Sequence, residues 1–298
     1  MISGLIQAIL LGGYYAIIAL GLSFMFSVMR IINLAHGSLA VLSAYLIFLL
    51  ADRLHINPFI GLFLVMPIMA MLGWVLQRYL LDRSARGGEL LPILTSFGLA
   101  IVLDNLMFQR FGADIRSLAP YVGDLSFDSF EFPGGIFIGK LSVIILASAI
   151  AMIGGIQFFL RNTMLGRSIR ATAMDADTAG VVGIDPKRTS ALAAAIAMAT
   201  VAVAGMSLGL RATFEPYSGA TQLLFAFEAT VIGGIGSLWG TLIGGIVLAI
   251  AQTLGANIHP LGFLIGGHFI FLVVLFYRLA RNANIVSNWF KVRMGKSA

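Results

Sequence analysis

The amino-acid sequence predicts an all-α, polytopic helical membrane protein with about eight to ten transmembrane helices, and three observations support this fold class. First, 59% of the 298 residues are hydrophobic and only 11% are charged, with a mean hydropathy of +0.97. A soluble domain typically carries about 25% charged residues. Second, apolar runs of about 20 residues, the length of a bilayer-spanning helix, recur along the chain. Third, the chain lacks the alternating segments of about ten residues that mark a transmembrane barrel.

We predict nine apolar segments in a single transmembrane domain that covers residues 1–298. They lie at residues 2–29, 31–50, 58–77, 90–111, 141–160, 190–210, 223–238, 240–254 and 261–277, and the seventh and eighth are short. The sequence contains no cysteine, which excludes disulfides and thiolate metal sites. No cleavable signal is expected, because the first apolar segment starts without a basic region.

Most of the basic residues fall in three polar segments, which lie on one side of the membrane if nine segments span it. These are residues 78–86, residues 161–188 and a tail at residues 278–298. Cytoplasmic loops carry an excess of Lys and Arg, so this parity places the N-terminus outside and the tail in the cytoplasm. The net charge of +6 fits an anionic membrane-lipid surface better than nucleic acid.

Residues 161–188 form the longest polar, helix-compatible insertion in the chain. We predict a short amphipathic helix over residues 172–179, ended by Gly180 or Gly183 and by Pro186. A helix outside the lipid presents one face to another protein, although the charge pattern fits an ordinary solvated loop equally well. The acidic loop at residues 112–140, on the opposite side, is either a landing surface for a soluble partner or a plain connector.

Several polar residues interrupt the apolar segments at membrane depth. Such groups are costly in lipid unless they face protein or water, so they mark a translocation path or a contact between helices. Asn33 and His36 are three residues apart and would share one face of a helix, which Gly37 could then break. The candidate path residues are Asn33, His36, Ser38, Thr95, Ser96 and Glu228.

Each path candidate also has a structural alternative. Thr95 and Ser96 could bond back to their own helix, and Glu228 could pair with a backbone amide or a helix N-terminus. The position of Asp104, at the interface or in the path, stays open. A metal site at His36 is not expected, because no carboxylate lies at ligand spacing.

Glycines four residues apart allow close approach of membrane helices, and Gly236, Gly240 and Gly244 form two such spacings. We assign them to helix packing. Residues 295–297 read Gly-Lys-Ser, but Phe290 stands where a phosphate-binding loop needs its first glycine and no helix can follow. We find no catalytic set and expect no cofactor on this chain, so any nucleotide hydrolysis belongs to another subunit.

Three stretches together resemble the permease subunits of the LivH/LivM type, from bacterial ABC importers of the branched-chain (hydrophobic) amino acid class. They are Ile-Asn-Leu-Ala-His-Gly at residues 32–37, Gly-Arg-Ser-Ile-Arg-Ala at residues 166–171 running on to Gly183 and Ile184, and residues 226–237. The resemblance covers roughly residues 2–275 and is closest to the LivH half. The tail after Phe276 departs from the family's usual ending.

The resemblance implies a multi-pass subunit of the bacterial inner membrane, paired with a LivM-like permease subunit. It also implies two cytoplasmic ABC ATPase subunits that use ATP and Mg²⁺, and a periplasmic substrate-binding protein. Residues 166–184 would be the coupling segment that docks on the ATPase. The candidate coupling residues are Gly166, Arg167, Arg170, Ala173, Asp175, Asp177, Gly183 and Ile184.

Two questions stay open at this point. The alternative function is an autonomous, ion-coupled secondary carrier or channel for small polar solutes, for which Glu228 and Asp104 give some support. The substrate is not identified either. Branched-chain or other amino acids, amides such as urea, and aromatic acids all fit, because specificity in such importers resides largely in the binding protein.

Overall fold

A computed structural model describes residues 2–88, 90–132 and 135–294, with side chains described from residue 3 to residue 281 of these ranges. The chain is almost entirely helical. Its α-helices are α1 (Ile2–Met29), α2 (His36–Leu54), α3 (Pro58–Leu76), α4 (Asp82–Ala85), α5 (Leu90–Phe111), α6 (Lys140–Asn162), α7 (Met164–Met174), α8 (Ala176–Val181), α9 (Pro186–Arg211), α10 (Gly219–Gly233), α11 (Leu238–Ile258) and α12 (Gly262–Met294). A π-helical turn, Gln77–Leu81, joins α3 to α4, and two 3-10 turns lie at Ala119–Ser126 and Pro216–Ser218.

Eight stretches of the described chain are helical, long enough and apolar enough to cross a membrane, which confirms the polytopic helical fold class. The one predicted segment outside these eight is the seventh, which corresponds to α10, a helix of only 15 residues. At 1.5 Å per residue α10 is about 22 Å long, shorter than a hydrocarbon core of about 30 Å. Most consecutive long helices are joined by short links; the two long connections are residues 112–139, between α5 and α6, and residues 163–185, which contain α7 and α8.

Several predicted boundaries differ from the structure. The ninth segment continues as helix to Met294, into the residues predicted as the tail. The second segment starts at His36, because residues 30–35 form a non-helical link in which Arg30 has a φ of 54°. The seventh segment is broken after Gly233 by a turn in which Gly234 and Gly236 have φ values of 102° and 85°. Residues 78–85, predicted as a loop, continue α3 as helix.

The centre of the bundle consists of α1, α2 and α9. In α1, 89% of the most apolar window is buried, whereas the corresponding figure for α12 is 6%. A helix that is apolar all round is stable only when other helices or lipid surround it. Glycines bring the central helices close, as where Gly245 of α11 approaches the Gly12 carbonyl of α1 and Gly73 of α3 approaches Met198 of α9.

The loop at residues 112–140 carries structure that the sequence analysis did not predict. It contains an antiparallel hairpin of β1 (Ser129–Phe132) and β2 (Ile136–Gly139). The Gln7 amide near the start of α1 donates to the Phe137 carbonyl at 2.9 Å. The hairpin therefore lies at the same face of the bundle as the N-terminus.

The polar ends of α3 and α9 meet at the other face, which we name the basic face. There Arg78 lies close enough to Asp185 to lower the pKa of that carboxyl, after the larger effect of the Arg188 backbone amide. Arg78 and Lys187 also lie near Asp82. The two polar segments that were expected on one side of the membrane are thus adjacent in space.

Candidate functional site

The N-terminal ends of α2 and α10 meet inside the bundle. A Cβ added at Gly37 would overlap the Gly219 carbonyl oxygen, and one added at Gly219 would lie 2.7 Å from the backbone nitrogen and hydroxyl of Ser38. His36, at the first position of α2, lies 2.7 Å through Nε2 from the Ile18 carbonyl, near the middle of α1. The α2–α10 junction is therefore at mid-depth of the bundle rather than at either surface.

The electrostatic character of the α2–α10 junction follows from its helix ends. Neither helix has a side-chain cap at its N-terminus, where the helix dipole places partial positive charge. The Asp104 side chain of α5 lies beside the Ser38 hydroxyl. Discontinuous helices whose N-termini end near mid-membrane form the anion-binding parts of many transporter sites. The junction thus combines two helix ends with the Asp104 carboxylate, while a second carboxylate, Glu215, caps the Pro216–Ser218 turn that leads directly into α10.

Asn33 and Ser96 hold the link that leads into α2. The Asn33 Oδ1 accepts a hydrogen bond from the Ala35 amide at 3.0 Å, and the Leu34 amide donates to the Ser96 hydroxyl at 3.0 Å. Both side chains are buried. The expectation that Asn33 and His36 share one face of a helix is wrong, because Asn33 precedes the first turn of α2. Gly37 lies within α2 and does not break it.

Thr95 and Ser96 both bond back to their own helix, α5. The Thr95 hydroxyl donates to the Leu91 carbonyl at 2.7 Å, and the Ser96 hydroxyl donates to the Ile93 carbonyl at 2.9 Å. Ser96 in addition accepts from the Leu34 amide, so it ties α5 to the link before α2. Thr95 makes its hydrogen bond only within α5, among the residues that the structure describes.

Glu228 belongs to a contact between α10 and α12. Its side chain is 1% exposed, and Oε1 lies 2.5 Å from Nδ1 of His268, whose side chain is 41% exposed. Within the described part of the chain, the other carboxyl oxygen has no hydrogen-bond partner. His268 was not among the predicted site residues. Its only signal was a single imidazole in an otherwise apolar helix, 40 residues from its partner.

A second polar contact that the sequence analysis missed joins α1 to α10 and α11. The Tyr14 hydroxyl donates to the Gln222 amide oxygen at 2.9 Å, and the Tyr15 hydroxyl donates to that of Gln252 at 2.6 Å. Arg211, at the end of α9, lies over the Tyr14 ring at 5.5 Å from its centroid. These contacts fix α10 against α1 near the α2–α10 junction.

The predicted helix between α6 and α9 is two helices. Asp175 separates them, since its Oδ1 accepts from the amides of Asp177 and Thr178 at 3.0 and 3.1 Å and so caps α8. Thr163 caps α7 by accepting from the Gly166 amide at 3.0 Å. The predicted bounds of this helix, residues 172–179, are therefore wrong. Both α7 and α8 nevertheless lie within the polar segment at residues 161–188.

Gly183 ends α8 with a glycine-specific turn. Its φ is +87°, the Gly183 amide donates to the Gly180 carbonyl and the Ile184 amide donates to the Ala179 carbonyl, each at 3.1 Å. This is the Schellman arrangement of helix C-termini. Asp185 then caps α9, with Pro186 at its first position. Each turn of the segment is thus held by a local hydrogen bond.

One face of α7 packs on the bundle and the other is free. Gly166, Ile169 and Thr172 are buried, and a Cβ at Gly166 would lie 2.6 Å from the Leu160 Cα of α6. Ala173 is partly buried against the core. Residues on the exposed surface of α7 and α8 mix basic, acidic and apolar side chains: Arg167, Arg170, Asp177, Met164, Met174, Val181 and Val182.

Comparison with known proteins identifies the family. A family model described as "Branched-chain amino acid transport system / permease component" matches residues 4–279, which is most of the chain. The chain belongs to this permease family. No solved structure matches it.

Curated relatives of the permease cover most of its length. The chain is 29% identical over 263 residues to the high-affinity branched-chain amino acid transport system permease protein LivH of Escherichia coli (strain K12), covering 84% of each chain. It is 26% identical over 264 residues to the BraD permease protein of Pseudomonas aeruginosa, covering 85% of this chain and 86% of the relative. A probable LivH permease of Methanocaldococcus jannaschii is 27% identical over 284 residues, covering 90% and 86%.

The glycines assigned to packing divide into two kinds in the permease. A Cβ at Gly240 or Gly244 of α11 would overlap backbone of α10, at Gly233 and Ala229 respectively. Gly236 differs from the prediction, because it lies in the turn between α10 and α11 and approaches Ser27 at the end of α1. In the described residues, no group of three or more His, Asp or Glu side chains is arranged to hold a metal ion.

Proposed function

We propose that this permease is one of two membrane subunits of an ATP-driven importer and forms half of the translocation path for branched-chain or related hydrophobic amino acids. The observation that carries the proposal is the family match over residues 4–279, joined to the α2–α10 junction and the two-helix segment at the basic face. The substrate class comes from the names of the relatives, which are branched-chain amino acid permeases.

The proposal places the permease in the bacterial inner membrane with its basic face in the cytoplasm. Lys and Arg are enriched in cytoplasmic loops, and Arg78, Lys187 and Arg188 lie at the basic face. The hairpin of β1 and β2 would then face the periplasm, where a substrate-binding protein delivers the amino acid. The tail follows α12 into the cytoplasm; residues 295–298, which contain the Gly-Lys-Ser sequence, lie outside the described residues.

We assign α7 and α8 to coupling with the ATPase. The segment is fixed to the bundle by the buried face of α7, so a push on its free face moves α6 and α9 rather than a loose loop. Exposed Met174 and Val181, at 86% and 87%, offer apolar contacts beside the Arg167 and Arg170 guanidinium groups. Such a mixed surface fits a groove with acidic rims on a cytoplasmic ABC ATPase.

The α2–α10 junction is our candidate for the substrate site. The carboxylate of a zwitterionic amino acid would lie at the positive ends of α2 and α10. Its ammonium group would donate a hydrogen bond to the Asp104 carboxylate. Ser38 stands between the two. Glu228, by contrast, already pairs with His268 and would act by holding α10 to α12. A LivM-like second subunit would supply the other wall of the path.

Reconstitution of transport tests the proposal directly. The permease, a LivM-like partner, two ABC ATPase subunits and the binding protein are placed in proteoliposomes, and leucine uptake is measured with and without internal ATP. We expect uptake only with ATP and all subunits, with ATP hydrolysed by the ATPase subunits. Leucine flux driven by an ion gradient through the permease alone would contradict the proposal and favour a secondary carrier.

Asp104 tests the site within the same system. Asp104→Asn should lower the maximal uptake rate at saturating binding protein by at least about tenfold, the value of one charge-assisted hydrogen bond. The control is Asp124→Asn in the loop between α5 and α6, which should leave the rate unchanged. Equal uptake rates for Asp104→Asn and the unaltered permease would show that Asp104 does not bind the ammonium group of the substrate.

A further inference from the structure

A crevice opens toward the bilayer between α3, α6 and α9. It has a volume of about 320 Å³, in the range of ligand pockets. Within the described residues, α3 and α6 make no extensive contact with each other, so the side of α9 between them is uncovered. Ala195 and Ala199 are partly exposed on its floor, Ala70 and Phe159 form its walls, and α7 closes its end at the basic face.

The lining of the crevice is apolar throughout. Its residues are Ala70, Phe159, Leu165, Ile169, Leu192, Ala195, Ile196 and Ala199. The charged groups of an amino acid would therefore find no hydrogen-bond partner there, whereas an alkyl chain would find apolar contacts along its length. From Leu192 to Ala199 the crevice follows α9 for about 10 Å, which fits within the roughly 15 Å of one leaflet's hydrocarbon.

A basic residue stands at the end of the crevice near the basic face. Arg188 lies one helical turn before Leu192 and therefore on the same side of α9, and its side chain is exposed. Its guanidinium has no carboxylate within 4 Å in the described part of the chain. Arg161, two residues after Phe159, lies on another side of α6, where the Gln157 amide oxygen can accept from its guanidinium. Arg78 is nearby but lies close to Asp82 and Asp185.

We propose that this crevice holds one acyl chain of an anionic phospholipid, whose headgroup lies against Arg188. The apolar lining, the length along α9 and the cation without a carboxylate partner at one end select a lipid with a negative headgroup. Because Leu165 and Ile169 of α7 form the closed end, the lipid contacts the segment that we assign to coupling. The site itself requires only that the chain spans a membrane.

Tryptophan fluorescence can report occupancy, because Trp74 lies one turn along α3 from Ala70. The full chain carrying Trp239→Phe and Trp289→Phe retains Trp74 alone. It is reconstituted in vesicles of unlabelled phosphatidylcholine. Increasing amounts of a lipid with brominated acyl chains are added, either phosphatidylglycerol in one series or phosphatidylcholine in the other. We expect half-maximal quenching at about fivefold lower mole fraction of the anionic lipid, the factor that one basic residue near the headgroup provides.

Matched variants separate this site from the general lipid boundary. Ala199→Phe fills the crevice and should abolish the anionic preference, with Ala199→Leu as a smaller alternative if the first variant fails to fold. Ala151→Phe makes the same change on the exposed side of α6 and should retain the preference. Arg188→Gln should reduce it, whereas Arg83→Gln in α4 should not.

Three outcomes would overturn the proposal. Equal quenching by the two brominated lipids removes the anionic headgroup from the site. An unchanged preference in Ala199→Phe moves the lipid elsewhere. In vesicles that also contain the partner permease, loss of brominated-lipid quenching together with a cross-link from Ala199→Cys to that partner would assign the crevice to a helix of the partner.

Discussion

Two glycine-rich regions of this permease are held together in opposite ways. At the α2–α10 junction, Gly37 and Gly219 come from distant parts of the sequence, and there is no room for a Cβ at either position. In the proposed coupling segment, residues 166–184, Gly180 and Gly183 both face open space, and the backbone is fixed by hydrogen bonds to residues a few positions away. The first region depends on tertiary packing and the second on local capping.

This difference predicts different effects of added side-chain volume in the two regions. Substitutions at the α2–α10 junction should change whether the helices assemble at all, because protein interiors absorb little extra volume. Substitutions in the coupling segment should leave the bundle intact and alter only the shape that a partner meets.

Gly37→Ala should lower the free energy of unfolding by about 3 kcal/mol, because its methyl group overlaps the Gly219 carbonyl and α2 must shift. Thermal unfolding in detergent measures the change. Gly98→Ala in α5 is the matched control, since a Cβ there meets nothing within 4 Å. If both variants unfold at the same temperature, the close contact between α2 and α10 is not required.

His268→Ala tests whether side-chain pairing adds to packing around α10. It leaves the Glu228 carboxyl buried without its partner, which should cost about 1–3 kcal/mol. Unfolding temperature in detergent is again the measurement. His259→Ala provides the control, because that imidazole accepts only from the nearby Leu261 amide in the described residues. A stability equal to that of the unaltered permease would show that Glu228 finds another partner or is neutral.

Gly183→Ala should destabilise the end of α8 by about 1–2 kcal/mol, because φ at +87° is unfavourable for a residue with a Cβ. Gly180→Ala adds the same methyl group to a helical position and should be neutral or slightly stabilising. We expect reduced ATP-driven uptake only in Gly183→Ala, with unchanged unfolding of the bundle in both. Normal uptake in Gly183→Ala would argue against a coupling role for this turn.

The smallest effect concerns the cap of α8. Hydrogen bonds, first from the Thr178 hydroxyl and then from the Thr178 and Asp177 amides, lower the pKa of Asp175. A lowered folded-state pKa means that the stabilisation is complete above the ordinary pKa of about 3.9 and is lost as pH falls through the lower folded value.

Hydrogen exchange of the peptide covering residues 175–184 measures this cap. Protection should be unchanged from pH 8 to 5 and should fall below about pH 4. Asp175→Ala should remove protection at every pH, while Asp177→Ala, whose side chain is exposed and caps nothing in the described structure, should not. Full protection in Asp175→Ala would mean that packing, rather than the cap, holds α8.

Much of the fold could be predicted because hydrophobic length is a local property. Eight of the nine predicted segments match helices long enough to cross a membrane, because runs of apolar residues predict them directly. The non-helical link at residues 30–35 could not be found this way, since Ile31, Ile32 and Leu34 keep the segment apolar. Its path depends on Ser96 and Ile18, which are distant in sequence.

The candidate site was predictable only in part, for the same reason. Asn33, His36 and Ser96 stood out as polar groups in apolar segments, but His268 and Gln222 did not, because each gains meaning only from a partner on another helix. The split at Asp175 was missed because an Asp is acceptable both inside a polar helix and as a cap. Gly183 was identified correctly as a turn, since glycine at a helix end is a local signal.

The contact between Gly37 and Gly219 also limits how this permease can change over generations. Both residues are already the smallest amino acid, so no substitution at one position can make room for a side chain at the other. Second-site suppressors of a Gly37 substitution should therefore map to the links at residues 30–35 and 212–218, where a change in backbone length or course can move the two helix ends apart.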